Sequence, residues 1–150
     1  MTEVLFYHLQ RQPLERVLPT LLERSLERGW RVVVQAASDE RVDALDAQLW
    51  TYRDDTFLPH GTARDAEAAA QPVLLTTGDD NPNGAQVRFL IDGAAVPVDA
   101  AAYERIVLLF DGEDKDAVAA ARARWSEVKA QGFEATYWQP DEQGRWVKKA

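Results

Sequence analysis

The sequence predicts an α/β fold in which a mostly parallel sheet is flanked by helices. Short apolar runs alternate along the chain with longer amphipathic segments, and the connections between them are mostly short. A helix that follows each strand returns the chain to start the next strand in the same direction, so this order favours a parallel sheet. The 150 residues, 46% of them hydrophobic, suit one domain with its own core.

The first elements are a strand at residues 3–7 and a helix that starts near Pro13 and ends before Gly29. Pro19 lies inside the helical segment and lacks the backbone N–H of a normal helical residue. We therefore expect either a kink at Pro19 or a helix that begins near it. Apolar residues recur at helical spacing through the segment: Leu14, Val17, Leu18, Leu21, Leu22 and Leu26.

A second strand and helix follow directly. Residues 31–36 are β-branched and apolar, and Ser38 can cap a helix whose first turn carries Asp39 and Glu40 at the positive end of its dipole. Leu45 and its neighbours at helical spacing form the predicted buried face. Residues 50–61 have no clear period, and we expect an ordered loop there.

The second half of the chain contains three more apolar runs, at residues 72–76, 86–91 and 105–110, each read as a strand. The strongest helical segment then runs from Asp114 to Gln131. A final strand at 133–139 and a turn at 141–144 complete the chain, and the turn sends 145–147 back as an edge or a tail. We predict a single domain over residues 1–150, with about residues 139–150 as its C-terminal tail.

Composition excludes several functions. The formal net charge of -8 opposes nucleic-acid binding over the whole surface, although residues 122–150 hold six basic and four acidic residues. The chain has no apolar stretch long enough for a membrane span and no signal peptide at its start, so we expect a cytoplasmic protein without membrane contact. The absence of cysteine and the presence of two histidines leave little for a metal site, and we predict no metal and no cofactor.

Catalytic motifs are missing as well. The glycines do not form G-x-G-x-x-G or a P-loop, and no serine stands in G-x-S-x-G. Catalytic residues are therefore expected to be absent. If the chain is nevertheless an enzyme, the alternative is a small nucleotide-dependent hydrolase with a degenerate site that uses His60 and Asp55.

One helical face has the chemistry of a peptide-binding site. At about 100° per residue, Trp125 falls on the stripe that faces the sheet, with Arg122 and Lys129 beside it and Arg124 on the opposite flank. Arginine pairs with carboxylates and an aromatic surface accepts an apolar side chain, so a ligand with both groups would fit. A core tryptophan with basic neighbours at the helix edge explains the same pattern.

Several segments together resemble one known family. They are Ala44 to Trp50, Asp54 to Gly61, Val4 to Tyr7, Val107 to Asp111, and Ala121 to Trp125 followed by Gly132 and Phe133. In this order they are similar to the chi subunit family of DNA polymerase III, over about residues 3 to 138.

The resemblance implies a Rossmann-like three-layer sandwich and a non-catalytic subunit of the replication machinery. Chi proteins bind the acidic, phenylalanine-ended tail of single-stranded-DNA-binding protein, which implies tail-binding roles for Arg122 and Trp125, with Arg124 and Lys129 as neighbouring candidates. Chi proteins also bind the psi subunit of the clamp-loader complex, for which Trp50 and Phe57 are candidates unless they are core residues. Trp125 replaces the more usual tyrosine.

The family's contact with DNA is mainly indirect, and we expect the same here. A competing hypothesis is that the C-terminal segment binds single-stranded DNA itself by stacking and charge. Its candidate residues are Trp138, Trp146, Lys148 and Lys149. The overall charge argues against this hypothesis.

Overall fold

A computed structural model describes residues 2–53 and 58–150 of the chain. Within these ranges the strands are β1 Glu3–Leu9, β2 Val32–Gln35, β3 Gly61–Thr62, β4 Val73–Thr76, β5 Val87–Leu90, β6 Arg105–Asp111, β7 Glu134–Pro140 and β8 Trp146–Lys148. The α-helices are α1 Leu14–Glu27, α2 Asp39–Thr51 and α3 Lys115–Ala130. Short 3₁₀ turns occur at Ala68–Ala70 and Ala100–Ala102.

The strands form one sheet in the order β3-β4-β2-β5-β6-β1-β7-β8. Neighbouring strands are parallel except for the antiparallel pair β7 and β8. Helices α1 and α2 cover one face through a core that includes Leu18 and Leu45, whereas α3 covers the other through Ala121 and Val128. The predicted mostly parallel α/β sandwich with flanking helices is confirmed.

Helix α1 runs through Pro19. Proline at this position leaves the carbonyl of Glu15, four residues earlier, without its usual intrahelical donor. Gln48 of α2 replaces that donor, since its side-chain Nε2 donates to the Glu15 carbonyl at 2.9 Å. The alternative that the helix begins near residue 19 is therefore wrong, and a contact between two helices satisfies the backbone instead.

The cap predicted at Ser38 is confirmed, and a second side-chain cap forms at Asp114. The Ser38 hydroxyl accepts a hydrogen bond from the backbone N–H of Arg41, and the Asp114 carboxylate accepts from the N–H groups of Asp116 and Ala117. Gly29 adopts φ +82° just beyond α1, where a residue with a side chain would be strained. The expectation of a loop from Trp50 onward is wrong for Trp50 itself, because α2 continues to Thr51.

Arg88 on β5 is fully buried. Its guanidinium donates to the side-chain oxygen of Gln35 at 2.8 Å, the carbonyl of Asp80 at 2.9 Å and the hydroxyl of Tyr103 at 3.1 Å, and also to the carbonyl of Gly78. These acceptors are uncharged groups that lie on different segments. The arginine therefore holds the connector before β5 and the segment before β6 against the α3 face of the sheet.

Candidate functional site

The surface around Trp125 is built on an aromatic cluster between α3 and the sheet. The half-buried indole of Trp125 meets Phe6 of β1 edge-to-face at 5.3 Å between ring centroids and Tyr137 of β7 at 6.1 Å. Phe110 of β6 lies 5.9 Å from Tyr137. Such edge-to-face contacts stabilise the cluster beyond simple burial, so the indole is held in a defined orientation.

Two cations border this cluster. Lys129, one turn after Trp125 on α3, places its ammonium 5.6 Å from the centre of the indole, within cation–π distance. Arg122 lies one turn before Trp125 on the same helix. Burial raises the pKa of the Tyr137 hydroxyl, and the positive charge of Arg122 acts in the opposite direction. The structure thus brings Arg122, Trp125 and Lys129 to one edge of α3.

Arg124 lies apart from these three. Its guanidinium faces Glu127 at 3.3 Å, and its side chain lines a cavity on the other flank of the helix. The sequence projection placed Arg124 on that opposite flank, and the structure agrees. Arg124 therefore belongs to a different surface from Arg122 and Lys129.

The wall of the Trp125 cluster includes residues that the sequence analysis did not identify. The buried His8 of β1 places Nδ1 2.6 Å from the Tyr137 hydroxyl, and its ring also contacts Phe110. Burial lowers the pKa of His8, while nearby Asp111 opposes that shift. The alternation of side chains along β1 and β7 could have placed His8 and Tyr137 on the α3 face, but not in contact with each other.

Residues 107–110 contribute unevenly to this surface. Val107 and Leu109 belong to the core on the α1 and α2 face of the sheet, whereas Leu108 and Phe110 face α3. Side chains alternate between the two faces of a strand, so the whole run cannot line one site. Phe110 alone of the run reaches the aromatic cluster among the described residues.

The second candidate surface surrounds Trp50 at the end of α2. Its side chain is 51% exposed, and its ring lies 4.5 Å from that of His60. The buried His60 is fixed in turn, with Nδ1 2.7 Å from the carbonyl of Leu58 and Nε2 3.0 Å from the Asp46 carboxylate. Phe57, the other candidate here, lies outside the described residues.

The same geometry bears on the hydrolase alternative. Both ring nitrogens of His60 face oxygen atoms of its own loop and of α2, so the imidazole is occupied within the protein. Asp55, its proposed partner, lies outside the described residues. His60 in this position orients Trp50 and does not present a free base.

A cavity of about 790 Å³ opens at the carboxyl ends of β1, β5 and β6. Nucleotides commonly bind at this edge of parallel sheets. Three arginines and six carboxylates line this cavity: Arg11, Arg41, Arg124, Glu15, Asp92, Asp111, Glu113, Asp114 and Asp116. The excess of carboxylates opposes a phosphate ligand.

One of these arginines is already engaged by carboxylates. Arg41 lies 2.8 Å from Glu15 and 3.3 Å from Asp92, so it joins the start of α1 to the segment after β5. Its hydrogen bond lowers the pKa of Glu15. An ion pair between protein groups thus occupies the edge where a nucleotide enzyme would hold phosphate.

Comparison with known proteins identifies the family. The family model described as "DNA polymerase III chi subunit, HolC" matches residues 1–136 of this chain. The chain belongs to the DNA polymerase III chi subunit family. The match includes α3 and the first part of β7, and it ends before the β7–β8 hairpin is complete.

Two relatives are similar over parts of the chain. A protein of Rickettsia prowazekii named "Probable DNA polymerase III subunit chi" is 26% identical over 121 residues, which cover 74% of this chain and 71% of that protein. The "DNA polymerase III subunit chi" of Pseudomonas aeruginosa is 36% identical over 87 residues, covering 55% of this chain and 59% of the relative. These findings support an accessory chi subunit of DNA polymerase III that acts in DNA replication.

Membrane-spanning helices and clusters of metal-binding side chains are both absent from the described ranges. Across residues 2–53 and 58–150, no helix combines the length and the apolar character that crossing a membrane requires. Over the same ranges, histidine and carboxylate side chains do not gather in groups of three or more that could hold a metal ion.

Proposed function

We propose that this chi-family subunit is a non-catalytic linker that joins the clamp loader, through the psi subunit, to the C-terminal tail of single-stranded-DNA-binding protein. The observation that carries the tail-binding part is the half-buried indole of Trp125 with the ammonium of Lys129 beside it, and with Arg122 one turn earlier on the same helix. A cytoplasmic location and a mainly indirect contact with the replicating DNA complete the proposal.

The grouping matches the chemistry of an acidic peptide that ends in phenylalanine. The aspartates and the terminal carboxylate of the tail would pair with Arg122 and Lys129. Its phenyl ring would pack beside Trp125 and Tyr137, whose rings already favour edge-to-face contacts. Exposed charge pairs contribute modestly and are screened by salt, so the affinity should fall as ionic strength rises.

The carboxyl-edge cavity is a poorer site for the same peptide, although it is larger. Its carboxylates would repel an acidic tail. Arg124, the arginine that α3 contributes to this cavity, already faces Glu127. We therefore retain Arg124 as a candidate that adds long-range attraction, while Arg122 and Lys129 make the direct contacts.

The psi-binding part of the proposal rests on Trp50 and Phe57. A tryptophan that is 51% exposed at a helix end and is held by His60 presents a rigid apolar surface, as residues that dominate protein interfaces commonly do. Phe57 remains a candidate from the family resemblance.

The tail-binding part is tested with a fluorescent peptide that copies an acidic, phenylalanine-ended tail, titrated with the protein and followed by anisotropy. Arg122→Ala should weaken binding at least about fivefold, the effect of losing one charge-assisted contact. Arg16→Ala, which removes an exposed arginine of α1, is the matched control and should bind like the unmodified protein.

A second peptide without the terminal phenylalanine separates the apolar contact from the charge contact. The proposal expects weaker binding of this peptide and a further loss with added salt. Absence of saturable binding by the unmodified protein at low salt would contradict the tail-binding part.

The psi part is tested by titrating psi into the protein and into Trp50→Ala by calorimetry. Trp50→Ala should lose most of its psi affinity while it keeps its affinity for the tail peptide, because the two surfaces lie on opposite faces of the sheet. Equal psi affinity of both proteins would remove Trp50 from the proposed interface.

A further inference from the structure

Three arginines converge on a cavity of about 340 Å³ between α1 and the sheet. Arg24 lies in the last turn of α1, Arg28 directly follows the helix, and Arg105 is the first residue of β6. Among the described residues that line this cavity, Glu27 is the one with an acidic side chain. Apolar side chains form its floor, including Leu21, Phe89 and Val107. In a chain with a net charge of -8, this is a local concentration of positive charge.

Trp30 holds two of these arginines in place. The guanidinium of Arg28 lies 4.2 Å from the centre of the indole, and that of Arg105 lies 5.1 Å from it. Arg105 also faces Glu3 at 3.4 Å, yet its buried Nε has no hydrogen-bond partner. The cavity therefore gathers three arginines beside one glutamate, and an anion placed in it would be attracted by all three positive charges.

An aromatic surface adjoins the arginine cavity. Tyr7 of β1 lines the cavity, and the charges of Arg105 and Arg24 both act on its hydroxyl. The Tyr7 ring is stacked with Trp138 of β7 at 6.3 Å and meets Trp146 of β8 edge-to-face at 4.8 Å. All three rings are half-buried on the side of the sheet that carries α1.

A further cation lies on the same face. Lys148 of β8 is directly opposite Trp138 in the antiparallel pair, so the two side chains lie on the same side of the sheet. Lys148 is exposed. The surface therefore continues from the arginine cavity through the aromatic rings to a lysine at the sheet edge.

From this arrangement we propose a direct binding site for single-stranded nucleic acid, which goes beyond the mainly indirect contact of the proposed function and is distinct from the tail-binding and psi-binding surfaces. A backbone phosphate occupies the cavity between Arg24, Arg28 and Arg105, and a neighbouring base packs against Trp138. Alternation of cations with aromatic planes is the chemistry that binds single strands without sequence preference. The arginine cavity lies by the amino end of β6, whereas the carboxylate-lined cavity lies at the carboxyl ends of β1, β5 and β6.

The choice of nucleic acid over an acidic peptide follows from the aromatic rings. An acidic peptide would use the arginines alone, whereas an unpaired strand uses both the arginines and the planar surface of Trp138 beside them. In this site most of the cations come from the end of α1 and the start of β6, rather than from Lys148, Lys149 and the C-terminal tail.

The test measures anisotropy of a labelled oligothymidylate of about 15 nucleotides at about 50 mM salt, with the full chain. Arg24→Ala combined with Arg28→Ala should weaken binding at least about tenfold and lower the slope of log affinity against log salt by about 2. The matched control removes two exposed cations elsewhere, Arg16→Ala with Lys115→Ala, and should retain the affinity more closely.

A tryptophan pair tests the stacking contact. Trp138→Ala should weaken oligonucleotide binding at least about fivefold, whereas Trp50→Ala on α2 should not. Thermal unfolding of each variant shows whether it is folded, and Trp138→Phe, which keeps an aromatic plane, should restore most of the affinity if stacking is the cause.

Two competitors identify the ligand. Thymidine monophosphate should compete weakly, because it offers one phosphate and one base. The acidic tail peptide should leave oligonucleotide binding largely unchanged. The inference is overturned if the unmodified protein does not bind the oligonucleotide at low salt, if the Arg24 and Arg28 variant binds like its control, or if that variant loses tail-peptide binding instead.

Discussion

The hydroxyl of Tyr137 lies 2.6 Å from Nδ1 of His8, beneath the helix that carries Trp125. Burial raises the pKa of Tyr137 and lowers the pKa of His8, so both groups favour their neutral forms. The neutral hydroxyl and imidazole share a hydrogen bond, and the pair ties β7 to β1 through side chains. The aromatic cluster therefore depends on an uncharged imidazole.

This pair makes stability depend on pH. Because the folded pKa of His8 lies below its ordinary value of 6.5, the unfolded chain binds a proton more readily than the folded chain. Stability contributed by His8 should therefore be full above about pH 6.5 and should decline as pH falls below it. Urea unfolding of the protein and of His8→Gln between about pH 5 and 7.5 measures this, and a constant difference between the two would contradict it.

Gly112 fits against the same imidazole. A Cβ at residue 112 would lie 1.9 Å from Nε2 of His8, so Gly112→Ala should displace the ring from Tyr137. We expect a loss of about 1–3 kcal/mol in the free energy of unfolding. In a His8→Ala background the same substitution should cost much less. Equal costs in both backgrounds would show that the glycine matters for another reason.

The contact between Gln48 and the Glu15 carbonyl predicts a coupling between two helices. Gln48→Ala should lower stability by about 1 kcal/mol, because it leaves a partly buried carbonyl without a donor. In a Pro19→Ala background, residue 19 supplies its own N–H to that carbonyl. The cost of Gln48→Ala should then shrink, and a double-mutant cycle by urea unfolding measures the difference.

Arg88 should contribute more to stability than any exposed arginine. Arg88→Met removes the donor for Gln35, Tyr103 and two backbone carbonyls, and we expect a loss of about 3–5 kcal/mol. Arg64 pairs with Asp43 on the surface, and Arg64→Met should leave the free energy of unfolding nearly unchanged, because solvent screens an exposed pair. Similar midpoints in urea for the two variants would contradict this assignment.

Trp125 should act in tail binding as an apolar surface. Trp125→Tyr should keep the affinity for the acidic tail peptide within about threefold, since an aromatic ring remains beside Phe6, whereas Trp125→Ala should lose about tenfold or more. Both are measured by anisotropy beside the Arg122→Ala variant. Loss of binding in Trp125→Tyr would show that the indole makes a specific contact.

The sequence predicted the part of the candidate site that lies on α3, but not the residues that the strands contribute. Helical periodicity placed Arg122, Trp125 and Lys129 together because residues three, four and seven apart share a helix face. It could not supply His8 or Tyr137, since those residues come from strands separated by most of the chain. The roles of the α3 residues in binding remain predictions.

By itself, the sequence determined the α/β order, the helix cap at Ser38 and the turn after α1 at Gly29, because these depend on neighbouring residues and on the local hydrophobic period. Only the tertiary structure decided strand order, the burial of Arg88 and the meeting of Arg24 and Arg28 with Arg105. The physical reason is distance along the chain. Local propensity and hydrophobic period do not specify which distant segments pack against each other, so these contacts are decided when the whole chain packs.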